Sequence, residues 1–168
     1  DSSGDRTVLS YEEMNGYCNR AIKLNPNCKL TLILMQVNDI EDYMKNEGSG
    51  FVQDLLQSVQ DTVRRHVGHR GIVCPLQPNL MSVVVQDINS DIKLRAFIES
   101  LRSRIAWNYR LVDPKYEISF SFGVACYPEN GMDMRIVHRK LVKALQMAQE
   151  KHANCYVIYK EHLHGELS

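Results

Sequence analysis

No apolar run in this chain reaches the ~18 residues that a membrane-spanning helix needs. The longest, Leu30-Thr31-Leu32-Ile33-Leu34-Met35, has the length of a buried strand. A net charge is missing as well: 20 basic and 20 acidic residues cancel over 168 positions. General nucleic-acid binders and membrane-surface binders need a basic excess, so this domain is expected to bind neither. No C-x-x-C pair occurs, and the five cysteines (Cys18, Cys28, Cys74, Cys126 and Cys155) are odd in number. That pattern speaks against a zinc site or a disulfide framework and predicts buried or indifferent thiols in a reducing cytoplasm. The opening Asp1-Ser2-Ser3-Gly4-Asp5-Arg6 lacks the apolar core of a signal peptide. No P-loop, no G-x-S-x-G and no internal repeat is found.

What remains is an ordinary globular composition, 44% hydrophobic and 24% charged, enough for one domain with a single core. Residues 1–9 are polar and are expected to be disordered or a linker, with a single domain over 10–168 and its core at 29–160. Ser10 with Glu13 makes a capping box for a helix over 10–24, which Asn25-Pro26-Asn27 ends. The nearly continuous apolar run Leu30 to Val37 predicts a strand covered on both faces. A short helix through Ile40, Tyr43 and Met44 should break at Glu47-Gly48-Ser49-Gly50. Phe51, Val52, Leu55, Leu56, Val59 and Val63 then mark a stronger helix, closed by Gly68.

Gly71-Ile72-Val73-Cys74 and Leu80-Met81-Ser82-Val83-Val84-Val85 read as a hairpin around Pro75-Leu76-Gln77-Pro78-Asn79. Asn89-Ser90-Asp91 caps a helix whose stripe is Leu94, Phe97, Ile98, Leu101, Ile105 and Trp107 or Tyr109. Pro114 falls in the loop after it. Residues Glu117 to Ala125 make a strand, Pro128-Glu129-Asn130-Gly131 a turn, Met134 to Lys151 a helix, and Cys155 to Tyr159 a closing strand. The order is a helix followed by β-α-α-β-β-α-β-α-β. It predicts an α+β sandwich with a mostly antiparallel central sheet and helices on both faces, a ferredoxin-like arrangement with an extra strand and helix.

Several segments in this order resemble a GGDEF domain, the nucleotidyl cyclase-type diguanylate cyclase module of bacterial second-messenger signalling. The resemblance covers roughly residues 29–160. Leu32 to Ile40 is similar to the family's first strand and the D-x-D segment after it. Gly48-Ser49 stands at the family's Gly-His, and Ser121-Phe122-Gly123-Val124-Ala125 at its S-x-G-[IV]-A strand. Leu141 to Gln149 resembles its A-D-x-A-L-Y-x-A-K helix, and Asn154 stands where G-R-N ends.

The resemblance implies a reaction that joins two GTP molecules into cyclic di-GMP, with carboxylates holding two Mg²⁺ on the triphosphate. Those groups are not found. The first-strand carboxylate falls on Gln36, and the second acid position on Asn38. The signature turn falls on Gln77, Pro78, Asn79, Leu80 and Met81, so both glycines are replaced and the metal-binding acid becomes Asn79. Pro78 fixes φ and removes a donor where ligand would lie. The guanine-reading positions fall on Met44 and Gln53, the phosphate-gripping Lys and Arg on Gln149 and Ala153, and the R-x-x-D inhibition motif on Gly68-His69-Arg70-Gly71. Hard cations need anionic oxygen ligands, so the expectation is a degenerate GGDEF domain that is not an enzyme and has no catalytic residue, metal site or cofactor.

Its expected role is regulatory: dimerisation, or signal relay to a neighbouring effector domain of a larger bacterial protein in cyclic di-GMP signalling. The absent Met and the tail His162-Leu163-His164-Gly165 read as cut points, and the 10–24 helix as a connecting or dimer-forming segment. The alternative is a nucleotide or cyclic-dinucleotide sensor without turnover, with Arg64, Arg65 and Arg70 as candidate ligand-binding residues. An ordinary helix C-terminus with favourable charge placement is the preferred account of those arginines. Likewise Asp39, Glu41 and Asp42 read either as a carboxylate cluster or as a solvated first helical turn. His66 and His69 lack an evident third metal ligand, and His162 and His164 are expected to be idle in a polar tail.

Overall fold

A computed structural model describes residues 3–88, 90–112, 118–151 and 155–165, with backbone alone for 3–10 and 109–112. Its elements are α1 (Ser3–Leu24), β1 (Leu30–Val37), α2 (Ile40–Glu47), α3 (Ser49–Val67), β2 (Gly71–Gln77), β3 (Leu80–Gln86), α4 (Asp91–Val112), β4 (Phe120–Tyr127), α5 (Met134–Glu150), β5 (Cys155–Ile158) and α6 (Glu161–His164). The five strands form one sheet in the order β2-β3-β1-β4-β5. Only the β4–β5 pair is parallel. The mixed α+β architecture and mostly antiparallel sheet agree with the sequence reading.

Side-chain alternation explains the layers. β1 is the middle strand, hydrogen-bonded on both edges and nearly wholly buried, which is why its sequence is a continuous apolar run. Ile33, Met35 and Val37 point to one face, where α3 and α4 supply Leu55, Val59, Val63, Phe97, Ile98 and Leu101. Leu30, Leu32 and Leu34 point to the other, under Met14 and Cys18 of α1 and Val137, Leu141 and Ala144 of α5. Gly123 is where α5 comes closest to the sheet. A Cβ there would lie 2.3 Å from the Leu145 nitrogen, so only glycine lets the helix backbone settle on β4.

Four expectations need correction. The first helix begins at Ser3, so residues 3–9 are helical rather than disordered. After Gly4 the segment Asp5-Arg6-Thr7-Val8-Leu9 contains no proline or glycine, and the helix propagates through Ser10. β2 runs on through Pro75 to Gln77, with a register shift between Pro75 and Gln77, and the turn shrinks to Pro78-Asn79. Pro75 is tolerated because β2 is an edge strand. Trp107 is 65% exposed, since two positions past buried Ile105 a helix has turned well away from its apolar stripe. The alternative stripe residue Tyr109 lies outside the described side chains, and Pro114, Glu117, Ala153 and Asn154 outside the described residues.

The tail is the fourth. α6 folds back onto α5: the Tyr159 hydroxyl (3.1 Å) and Lys143 Nζ (3.0 Å) both donate to the His164 carbonyl, whose ring Nδ1 accepts from the Lys160 amide at 3.0 Å. Lys140 Nζ lies 2.8 Å from Glu161. His164 is therefore not idle. A polar sequence gave no sign of this, because the contacts are made by backbone carbonyls and a lysine from a distant helix.

Candidate functional site

β1 ends, the β2–β3 hairpin turns and β4 begins at one end of the sheet. Antiparallel pairing sets Gln36 beside Leu80 on one side and Ser121 on the other. Gln36, the half-buried next-to-last residue of β1 on the α5 face, accepts a hydrogen bond at Oε1 from Nε2 of the exposed Gln149 on α5. Asn38 follows just past the end of β1. Its Nδ2 reaches Ser119 Oγ and Ser121 Oγ, both at 3.0 Å, and Ser121 Oγ returns a bond to Oδ1 at 3.3 Å.

The hairpin tip closes the group. Asn79 Nδ2 donates to the Val37 carbonyl at 3.2 Å, and the Val37 amide donates to the Asn79 carbonyl at 2.9 Å. The Asn79 amide is thus pinned back onto β1. Gln77 and Pro78 are exposed, Leu80 is half-buried and Met81 is buried in the core. Asp39 is exposed, holds a left-handed φ of 65° and opens α2, whose first turn carries Glu41 and Asp42. Burial first, then the charges of Asp39 and Asp42, raises the Tyr43 hydroxyl above its usual pKa. Met44 and Gln53 are exposed on α2 and α3. Among the described residues no three His, Cys, Asp or Glu side chains gather as metal ligands.

The family described as diguanylate cyclase, GGDEF domain, matches residues 12–155. The chain belongs to the GGDEF domain family. The active GGEEF domain of a diguanylate cyclase from Vibrio cholerae superposes with a TM-score of 0.73 at 16% identity, covering 86% of this chain and 90% of that one. The GGDEF domain of DgcB from Caulobacter crescentus, solved in complex with c-di-GMP, gives 0.71 at 12% identity over 88% and 86%. At these identities the likeness is one of fold. An uncharacterized protein of Synechocystis sp., sll1895, is 17% identical over 142 residues, 84% of this chain. The chain spans about a fifth (20%) of that relative's length.

In this GGDEF domain the three predicted arginines do not share one site. They lie at the far end of β2, whose seven residues, at ~3.3 Å each, separate Gly71 from the hairpin tip by roughly 20 Å. Arg70 lies over the Phe97 ring at 5.1 Å from its centroid and donates to the His66 carbonyl at 2.9 Å. Arg64 is exposed near Cys74, whose thiol is pushed up to about 11, mainly by burial; the guanidinium opposes that rise. Arg65 lines the groove between α3 and α4, where Arg104 and Trp107 join it. The sequence reading names neither partner for this groove and offers Trp107, or Tyr109, for the buried stripe instead. The signal was available: Ile105 fixes the buried stripe, and position 107 does not belong to it.

Proposed function

We propose that this GGDEF domain is catalytically inactive and serves as a regulatory or interaction module of a larger bacterial signalling protein, acting by dimerisation or by relay to a neighbouring effector domain. One observation carries the reading. The three positions nearest the hairpin where acids are expected hold the neutral amides Gln36, Asn38 and Asn79, and each amide is already hydrogen-bonded within the protein. Mg²⁺ requires near-octahedral ligation by hard, preferably anionic oxygens. A neutral amide oxygen offers no charge to offset two divalent ions beside a triphosphate. The residues present do not fit that metal pair, so no condensation step is derived through it. Gln149, at the expected phosphate-gripping lysine, supplies no positive charge either.

The test is incubation with GTP and Mg²⁺ at high protein concentration, following pyrophosphate release and cyclic di-GMP. The expected result is neither product. Mg²⁺-dependent release of pyrophosphate would overturn the reading. The interaction role is checked by measuring mass in solution across a dilution series, with and without the flanking domains.

A second reading is a sensor that binds a nucleotide or cyclic dinucleotide without turnover. It is favoured by the α3–α4 groove, which Arg65 and Arg104 both line, and by the c-di-GMP complex of the Caulobacter crescentus domain. Calorimetric titration with GTP and cyclic di-GMP tests it: absence of heat with either removes it.

A further inference from the structure

We propose that the groove between α3 and α4 is a binding site for an aromatic anion of mononucleotide size, with its phosphate held by Arg65 and Arg104 and its ring stacked on Trp107. This deepens the sensor reading and is independent of whether GTP is condensed at the hairpin end. The groove is open to solvent and has a volume of about 500 Å³, within the range of small-ligand sites. Arg65 and Arg104 both line it, and among the described residues neither has a carboxylate partner. The planar forks of two guanidinium groups without a carboxylate partner match phosphate oxygens.

The groove floor is fixed. Thr62 is 2% exposed, and its hydroxyl donates to the Ser58 carbonyl at 2.8 Å. The same oxygen accepts from Asn108 Nδ2 at 3.0 Å and from Arg65 Nη2 at 3.4 Å, so one buried hydroxyl helps to hold a wall of the groove and one of its cations. Ser100 and Ser103 add hydroxyls at the rim. Trp107 is the chain's one tryptophan and lies 65% exposed in the same wall. An exposed indole beside paired cations is suited to a ligand that is flat and apolar at one end and negative at the other.

Because Trp107 is the sole tryptophan, its fluorescence reports on this groove without a label. The probes are guanosine and adenosine 5′-monophosphates, inorganic phosphate and uncharged guanosine. Saturable quenching by the monophosphates is expected, with competition by phosphate and at least about tenfold weaker binding of guanosine. Arg65→Ala and Arg104→Ala should each weaken binding by about tenfold or more, the loss of one charge-assisted contact. Both side chains are exposed, and circular dichroism confirms that the variants fold. Trp107→Ala should abolish the signal and weaken binding measured by calorimetry about threefold or more, the loss of one stacked ring. No saturable quenching at millimolar monophosphate, equal quenching by guanosine, or an unchanged double arginine variant would overturn the site. A fluorescence change that tracks protein concentration instead would give the groove to a second copy of the chain and also overturn it. Heat with cyclic di-GMP but no tryptophan response would overturn this site while leaving the sensor reading standing.

Discussion

His138 is a half-buried histidine on α5, edge-on to Tyr11 at 4.6 Å between ring centroids, and its buried Nδ1 has no hydrogen-bond partner. Burial holds its pKa below the ordinary 6.5. His66 and His164 are lowered for the same leading reason. Between the native value and 6.5 the unfolded chain binds more protons than the folded one, so stability is full above pH 6.5 and falls as the pH drops below it. Denaturation midpoints taken from pH 7.5 to 5 should show that decline, and His138→Gln should flatten part of it. Gly123 gives a second residue-scale prediction. Its missing Cβ is what admits the α5 backbone, so Gly123→Ala should cost about 1–3 kcal/mol in urea denaturation, the usual cost of overpacking.

At the scale of elements, α1 is bound to the sheet by a few side chains. Met14 is fully buried, and its sulfur accepts the Ser82 hydroxyl at 2.7 Å; Tyr17 accepts from Gln86 Nε2 at 2.8 Å. Met14→Ala should therefore cost about 2–5 kcal/mol, whereas Leu24→Ala at the helix end, where the side chain is 87% exposed, should change stability by less than about 0.5 kcal/mol. Thermal unfolding of the two variants side by side checks the contrast. The thiols of α1 and its surroundings are equally sheltered. Burial, then the neighbouring Cys74 and Cys28, pushes Cys18 up to about 12, which fits inert core thiols rather than reactive ones.

For the whole molecule, the neutral hairpin end and the cationic α3–α4 groove lie at opposite ends of β2. If the amide cluster holds no magnesium, Mg²⁺ should leave the Tm unchanged and should not strengthen the binding of GTP. An upward shift that grows with Mg²⁺ concentration in the presence of GTP would place metal ligands in the fold after all. No helix among the described residues is long and apolar enough to cross a membrane.

The pattern of side chains was sufficient for the layers. Apolar spacing on α3 and α5 and the unbroken run of β1 located the core, because burial is enforced by period and by little else. Gln36, Asn38 and Asn79 could be named in the sequence as neutral residues at positions where the family resemblance expects charge. Their hydrogen bonds to Gln149, to Ser119 and Ser121, and to the Val37 carbonyl could not, since each joins segments brought together only by sheet register and by the closure of α5 on β4. The same holds for Arg104 and Trp107 beside Arg65, which depend on how α4 is rotated against α3. Composition and periodicity determined which faces are dry; the packing of one helix on another decided which polar side chains meet, because that depends on rotation and register that no local pattern encodes.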